Sequence, residues 1–173
     1  MRAYILIGVL EIKPPTAFEV APAALVVFLA GSIDMGAAAR WQVVVVEQLT
    51  EFDAIALNPR RDGWDSSWSQ SSADPRFREQ VEWELDGLSR ADVIAMWLEP
   101  SSRSPVSLLE LGLHASGGKL IVGCPLGFWR RGNVEVVCER FEIPLCETFE
   151  AFVAAIKLRL EELHAARGRP RVV

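Results

Sequence analysis

Ala24-Leu25-Val26-Val27-Phe28-Leu29-Ala30-Gly31-Ser32 is the stretch that decides the fold. No polar residue interrupts it from Ala24 to Leu29, and Ala30-Gly31-Ser32 supplies the turn that stops it. A strand with one wet face alternates apolar and polar residues. A strand apolar throughout is buried on both faces, as in a parallel sheet covered by helices on either side. This run is therefore expected to be the central strand.

Outward from it, elements alternate. Residues 37–52 repeat at helical period, and 54–57 form a short strand closed by Asn58-Pro59. Asp74-Pro75 opens a helix running to about residue 88, with Asp74 as N-cap and Pro75 as first helical residue. Residues 92–98 are the third apolar strand. Ser104-Pro105 starts a helix that stops at Gly117-Gly118, and residues 119–123 are the fourth strand. Weaker helical periodicity at 133–140, a short strand at 143–145 and an amphipathic helix at 149–163 complete the series. Strand-helix repetition with right-handed crossovers predicts a doubly wound α/β fold: a flavodoxin-like three-layer sandwich around five parallel strands. Residues 1–23, with Pro14, Pro15 and Pro22, lie outside the alternation and read as an added edge strand plus linker. Residues 24–164 read as the domain, and 165–173 as a frayed tail.

Composition sets limits on function. A chain of 173 residues, 50% hydrophobic and 24% charged, fits one domain able to bury roughly two thirds of the surface its unfolded form exposes. The net charge of -5 argues against a nucleic-acid polymer as partner and leaves a small molecule. Cys124, Cys138 and Cys146 are odd in number and lack metal-site spacing. They read as free thiols in a reducing, cytoplasmic setting, with no metal expected. The apolar start, residues 1–10, is too short to cross a bilayer and carries no cleavage site, so neither a membrane span nor an export signal is expected.

One carboxylate stands out. Ser104-Pro105-Val106-Ser107-Leu108-Leu109-Glu110-Leu111-Gly112 puts Glu110 inside an apolar helical run. Burying a charge there costs several kcal/mol unless a partner or a task compensates. Glu110 is the candidate nucleophile; the competing reading is an exposed Glu on a misjudged helical phase. Parallel sheets bind ligands at the carboxyl ends of their strands. Gly31-Ser32, Asn58 to Arg61 and the residues before Ser104 fall there. Arg60 and Arg61 are either a solvated loop pair or a clamp for an anionic group. Trp64 and Trp68 lie in a polar loop that does not need them for a core, so they read as a lid or a subunit contact. Trp41, Trp83 and Trp97 sit at core periodicity. Glu84 shares a helix face with Gln80.

Phe28-Leu-Ala-Gly-Ser-Ile33, Asn58-Pro-Arg-Arg61, Ala91-Asp-Val-Ile94 and Ser104 to Gly112 together resemble the nucleoside 2-deoxyribosyltransferase-like proteins, which include deoxynucleoside monophosphate N-glycosidases. The resemblance implies that Glu110 attacks the anomeric carbon to form a glycosyl-enzyme, and that Asp92 protonates or orients the leaving base. It implies that Ser104 contacts a 5′-phosphate, that Phe28, Ala30, Gly31 and Ser32 approach the nucleoside, and that Asn133 reaches a neighbouring subunit's site in a homo-oligomer. No cofactor is implied.

The chemistry is coherent on its own terms: a carboxylate stabilises a cation-like sugar, and a second acid protonates the departing base. Two carboxylates in one dry pocket should leave one with a raised pKa, and Asp92 is the expected protonated member. If they work as a pair, they share a pocket. Residue by residue, Ser104 also reads as an N-cap and Asp92 as a turn cap. The alternatives are a noncatalytic nucleotide-sensing module and an NAD glycohydrolase.

Overall fold

The computed structural model describes residues 8–19, 24–33, 39–63, 65 and 67–168. Its centre is β2 (Leu25–Gly31), buried along its whole length except at Gly31. On one side of it lies β3 (Ala54–Leu57) and on the other β4 (Val93–Trp97), both parallel to it. β5 (Leu120–Gly123) and β6 (Leu145–Cys146) continue the sheet beyond β4, and β1 (Val9–Ile12) adds a parallel edge beside β3. The order is β1-β3-β2-β4-β5-β6. Without β1, the five core strands follow the second-first-third-fourth-fifth arrangement of flavodoxin-like sheets. The sheet therefore has six strands, because the edge strand expected before the domain pairs in full register with β3, from Val9 opposite Ala54 to Ile12 opposite Leu57.

Pleating sorts the side chains. Val26, Phe28 and Ala30 face a layer with α2 (Pro75–Arg90), α3 (Pro105–His114) and α4 (Arg131–Arg140), while Leu25, Val27 and Leu29 face α1 (Trp41–Gln48) and α5 (Phe149–Ala166). Each fully buried Leu, Val or Phe contributes roughly 1.5–3 kcal/mol, so this strand alone accounts for a large share of the core. Trp41, Trp83 and Trp97 are all buried, as their spacing predicts. Asp74 caps α2 by accepting from the Arg76 N–H at 3.0 Å, and Thr148 caps α5 by accepting from the Ala151 N–H at 3.2 Å. No helix among the described residues is long and apolar enough to cross a membrane.

Boundaries moved at three places. Residues 34–38, where the first helix was expected to begin, lie outside the described residues, and α1 starts at Trp41. β6 falls at Leu145–Cys146, after the buried Ile143. α5 runs on to Ala166, and Arg167 behind it donates to the Ala24 carbonyl at 3.1 Å and to Asp92 Oδ1 at 2.6 Å. The segment expected to fray therefore begins as helix and is tied to β2.

Candidate active site

The chain order reverses at β2, whose neighbours continue in opposite directions, and a crevice opens there at the strands' carboxyl ends. Gly31 forms its base. With φ of 127° and an ideal Cβ that would stand 2.1 Å from the Trp97 carbonyl oxygen, only glycine lets β2 and β4 close at this point. Ser32 follows. Its N–H donates to the Trp97 carbonyl, and its carbonyl accepts from the Trp41 indole at 3.0 Å.

From β4 the chain turns through Ser102 to α3. Ser104 occupies the N-cap position yet makes no capping bond; it is left-handed, with φ of 42°. Its hydroxyl instead lies 2.6 Å from that of Ser32 and 2.7 Å from that of Ser102. The Ser32 oxygen accepts the Glu99 N–H and the Ser102 oxygen accepts the Ser104 N–H. The three hydroxyls hold the start of α3 against the end of β2, and they compensate for a backbone conformation that costs of order 1–3 kcal/mol.

α3 then projects Glu110 into a cavity of about 540 Å³, a volume suited to a small organic ligand. The cavity lies between α2 and α3 and opens above β2 and β3. Glu110 is only 8% exposed, and among the described residues no group donates a hydrogen bond to it. Burial, reinforced by the charge of Glu84, pushes its carboxyl up to about 8. Glu84 reaches the same cavity from α2 and is raised in turn by burial, against the opposing effect of the Gln80 amide that donates to it at 2.8 Å. Two carboxyls in one poorly hydrated space oppose each other's ionisation.

Asp92, expected to be the second acid, is elsewhere. It precedes β4, at the amino end of the sheet, where Oδ2 accepts the Val26 N–H at 2.9 Å and Oδ1 pairs with Arg167. The Glu110–Asp92 pair is not built, since a residue before a parallel strand stands at the end opposite the crevice. Glu84 and Asp62 are the carboxyls that share the cavity with Glu110, and Glu84 is the one that raises its pKa.

The other expected positions divide. Gly31, Arg60, Arg61, Ser104 and Glu110 line the cavity together, and Ser32 supports it from behind. Phe28 does not reach it: its ring is fully buried beneath α2, with Gly87 leaving the space that a Cβ would occupy at 2.7 Å from Phe28 Cε2. Asn58 is also turned away, donating to Glu11 of β1 at 2.7 Å and accepting the Arg60 N–H. Asn133 borders a separate cavity of about 300 Å³ between α3 and α4, with Leu108, Leu111 and Trp129. Trp64 lies outside the described residues. Trp68 stacks between Arg61 and Arg76, 5.0 Å from each guanidinium, and so is engaged by its own chain.

Two contributors escaped sequence reasoning. Arg40, just before α1, also lines the cavity, and nothing in its local sequence marks it. Glu84 was signalled by its i, i+4 relation to Gln80, but the choice between wall and solvent depends on how α2 is rotated. Glu82, two residues earlier, faces water and pairs with Arg78. The cysteine thiols play no part here: Cys124 and Cys138 are buried, and burial pushes both up to about 11.

A doubly wound α/β domain with a carboxyl-walled cavity at its switch point defines a candidate small-molecule site. Residues 24–128 match the family described as nucleoside 2-deoxyribosyltransferase like, and the chain belongs to that family. Among solved structures, a conserved protein from Enterococcus faecalis V583 is similar, with a TM-score of 0.56 and 15% identity over 79% of this chain and 99% of that chain. At that identity the likeness concerns the fold. No curated protein sequence matches the chain.

Proposed function

We propose that the protein cleaves or transfers the N-glycosyl bond of a nucleoside or nucleotide, with Glu110 as nucleophile and Glu84 as proton donor. The observation that carries this reading is an almost fully buried carboxyl, without a hydrogen-bond donor among the described residues, facing a ligand-sized cavity. Burial opposes the ionisation of both Glu110 and Glu84, and the charge of Glu84 opposes that of Glu110 further. In the reactive arrangement Glu110 is ionised and Glu84 protonated. The Glu110 carboxylate bonds to the anomeric carbon as the carbon–nitrogen bond breaks, the bonding pair leaves with the base, and the Glu84 proton neutralises the base nitrogen. Water or a second base, deprotonated by Glu84, then displaces Glu110. Developing positive charge on the sugar stabilises the Glu110 carboxylate at the moment it is needed.

Glu110→Ala, folded as judged by its circular dichroism, should lose about a thousandfold or more of base release from deoxynucleosides or their monophosphates. For the wild type, kcat/KM should be bell-shaped in pH, falling at low pH where both carboxyls hold protons and falling again above about 8 where the pair loses its last proton. Unchanged base release in Glu110→Ala would remove the assignment and leave a nucleotide-binding module, which binds the same ligands without turnover.

The site is further proposed to work in a homo-oligomer. Val106, Leu109 and Leu113 form a helical stripe on α3, each more than half exposed, and Val106 also borders the Glu110 cavity. Beside the stripe, Arg130 and Asn133 flank the α3–α4 cavity. A second copy packed on this face would bury the stripe and close the rim of the cavity. Light scattering across a dilution series should give at least twice the chain mass. A monomer with full ligand affinity would show the pocket complete in one chain.

A further inference from the structure

Gln80 stands on α2 one turn before Glu84 and lines the same cavity, only 4% exposed. Its amide nitrogen donates twice, to the Pro59 carbonyl at 2.9 Å and to Glu84 Oε1 at 2.8 Å. Its amide oxygen is buried and, among the described residues, accepts nothing. We infer that Gln80 is a positioning residue for the proton donor: it clamps Glu84 by Oε1, leaves Oε2 to carry the proton, and stabilises the carboxylate that remains when that proton passes to the departing base. This inference rests on the N-glycosyl reading for the reaction, but not for the clamp itself.

The unequal use of the two ends of the amide separates this role from packing. The Pro59 carbonyl can only accept, and so can an ionised Glu84. Turning the amide over would set its oxygen against both, so the orientation is fixed. A buried acceptor without a donor lowers stability, and a methionine of similar shape would fill the space without that cost. The amide is therefore kept for its donor end. Pro59 anchors that nitrogen to the chain leaving β3, which holds it in place whether or not a ligand is bound.

The electrostatic effect runs in the direction an acid needs. Burial lifts the Glu84 carboxyl above its usual range, and the Gln80 amide pulls against it. An acid held too firmly by burial gives up its proton slowly, whereas a donor aimed at its oxygen binds more strongly as charge develops there. Glu110 has no such donor among the described residues, so this hydrogen bond distinguishes the two carboxyls. Glu84 is the one prepared to end the first step ionised, and in that form it can take a proton from the incoming water. The other charged groups lining the cavity are Arg40, Arg60, Arg61 and Asp62. Substituting Gln80 leaves all of them in the chain, so a change confined to Glu84 reports the amide.

Gln80→Met tests the clamp with two readouts. The first is carboxyl titration, followed by magnetic resonance in protein isotope-labelled at its glutamate carboxyl carbons, with Glu84→Gln and Glu110→Gln identifying the two signals. In the native sequence Glu84 should ionise at lower pH than Glu110, and in Gln80→Met the Glu84 titration should move to higher pH. Glu84 ionising after Glu110 in the native sequence would overturn the clamp without recourse to any Gln80 variant, as would a Glu84 titration that Gln80→Met leaves in place. The second readout is turnover. With the common deoxynucleosides and their 5′-monophosphates, kcat for base release should fall about tenfold or more in Gln80→Met while KM stays the same. With 7-methyl-2′-deoxyguanosine or its 5′-monophosphate, whose base leaves neutral without taking up a proton, kcat should not change. Equal losses on both kinds of substrate would make Gln80 a strut for α2 and overturn the positioning role. A native protein that releases no base, yet shows the expected movement of the Glu84 titration, would keep the clamp and remove the N-glycosyl chemistry.

Discussion

Two carboxylates at opposite ends of the same sheet show how position and partners divide structural from chemical roles. Asp92 lies at the amino end with both oxygens engaged, one by the Val26 N–H and one by Arg167. Glu110 lies at the carboxyl end, more deeply buried, with no donor among the described residues and a second carboxyl close enough to raise its pKa. The satisfied group joins β2, β4 and α5. The unsatisfied one is kept at an energetic cost, and a cost of that kind at a cavity wall points to a task.

The comparison can be broken most sharply by titration. With its folded-state pKa raised to about 8, Glu110 binds its proton more tightly in the native than in the unfolded chain. Its stabilising contribution is therefore complete below its ordinary value of 4.5 and is lost as pH rises through 8. Glu110→Gln removes this dependence, so the variant should exceed the wild type in stability by up to about 5 kcal/mol at pH 9 and by much less at pH 5. Urea unfolding at the two pH values measures it. A constant gap between the two proteins would mean that Glu110 ionises as freely in the native state as in water.

A smaller effect sharpens the other side. Asp92→Ala leaves the Val26 N–H without its acceptor and Arg167 without its partner, which should cost about 1–2 kcal/mol because the pair is partly solvated. Base release per folded molecule should be unchanged. A variant that kept its stability but lost activity would restore Asp92 to the chemistry.

Much of this difference was legible in the residues. The apolar setting of Glu110 announced its burial, and the unbroken run at β2 announced the parallel sheet. The position of Asp92 before an apolar strand already implied the wrong end of the sheet. That local rule was in conflict with the resemblance, and the geometry follows the rule. Phe28 and Asn58 failed for another reason. Phe28 falls on the pleat facing α2 beneath Gly87, and Asn58 turns to a glutamate on β1, 47 residues away in the chain. Neither relation exists until distant elements have docked. The rotation of α2 that brings Glu84 to the cavity and leaves Glu82 in water is of the same kind, set by packing of Trp83 and Leu88 rather than by periodicity. The stripe on α3 belongs with these: Leu109 and Leu113 satisfy a helical period as well as core residues do, yet point outward.

Arg167 carries a consequence for the order in which the chain matures. Its guanidinium grips the Ala24 carbonyl, 143 residues earlier, and Asp92 in the same stroke. During synthesis β2 leaves the ribosome long before its fastening has been translated. Until α5 emerges, the first core strand lacks both its last covering helix and the clasp at its starting edge, leaving an apolar strand exposed to unwanted association. The clasp therefore comes late: the central strand is secured only after α5 and Arg167 have been made.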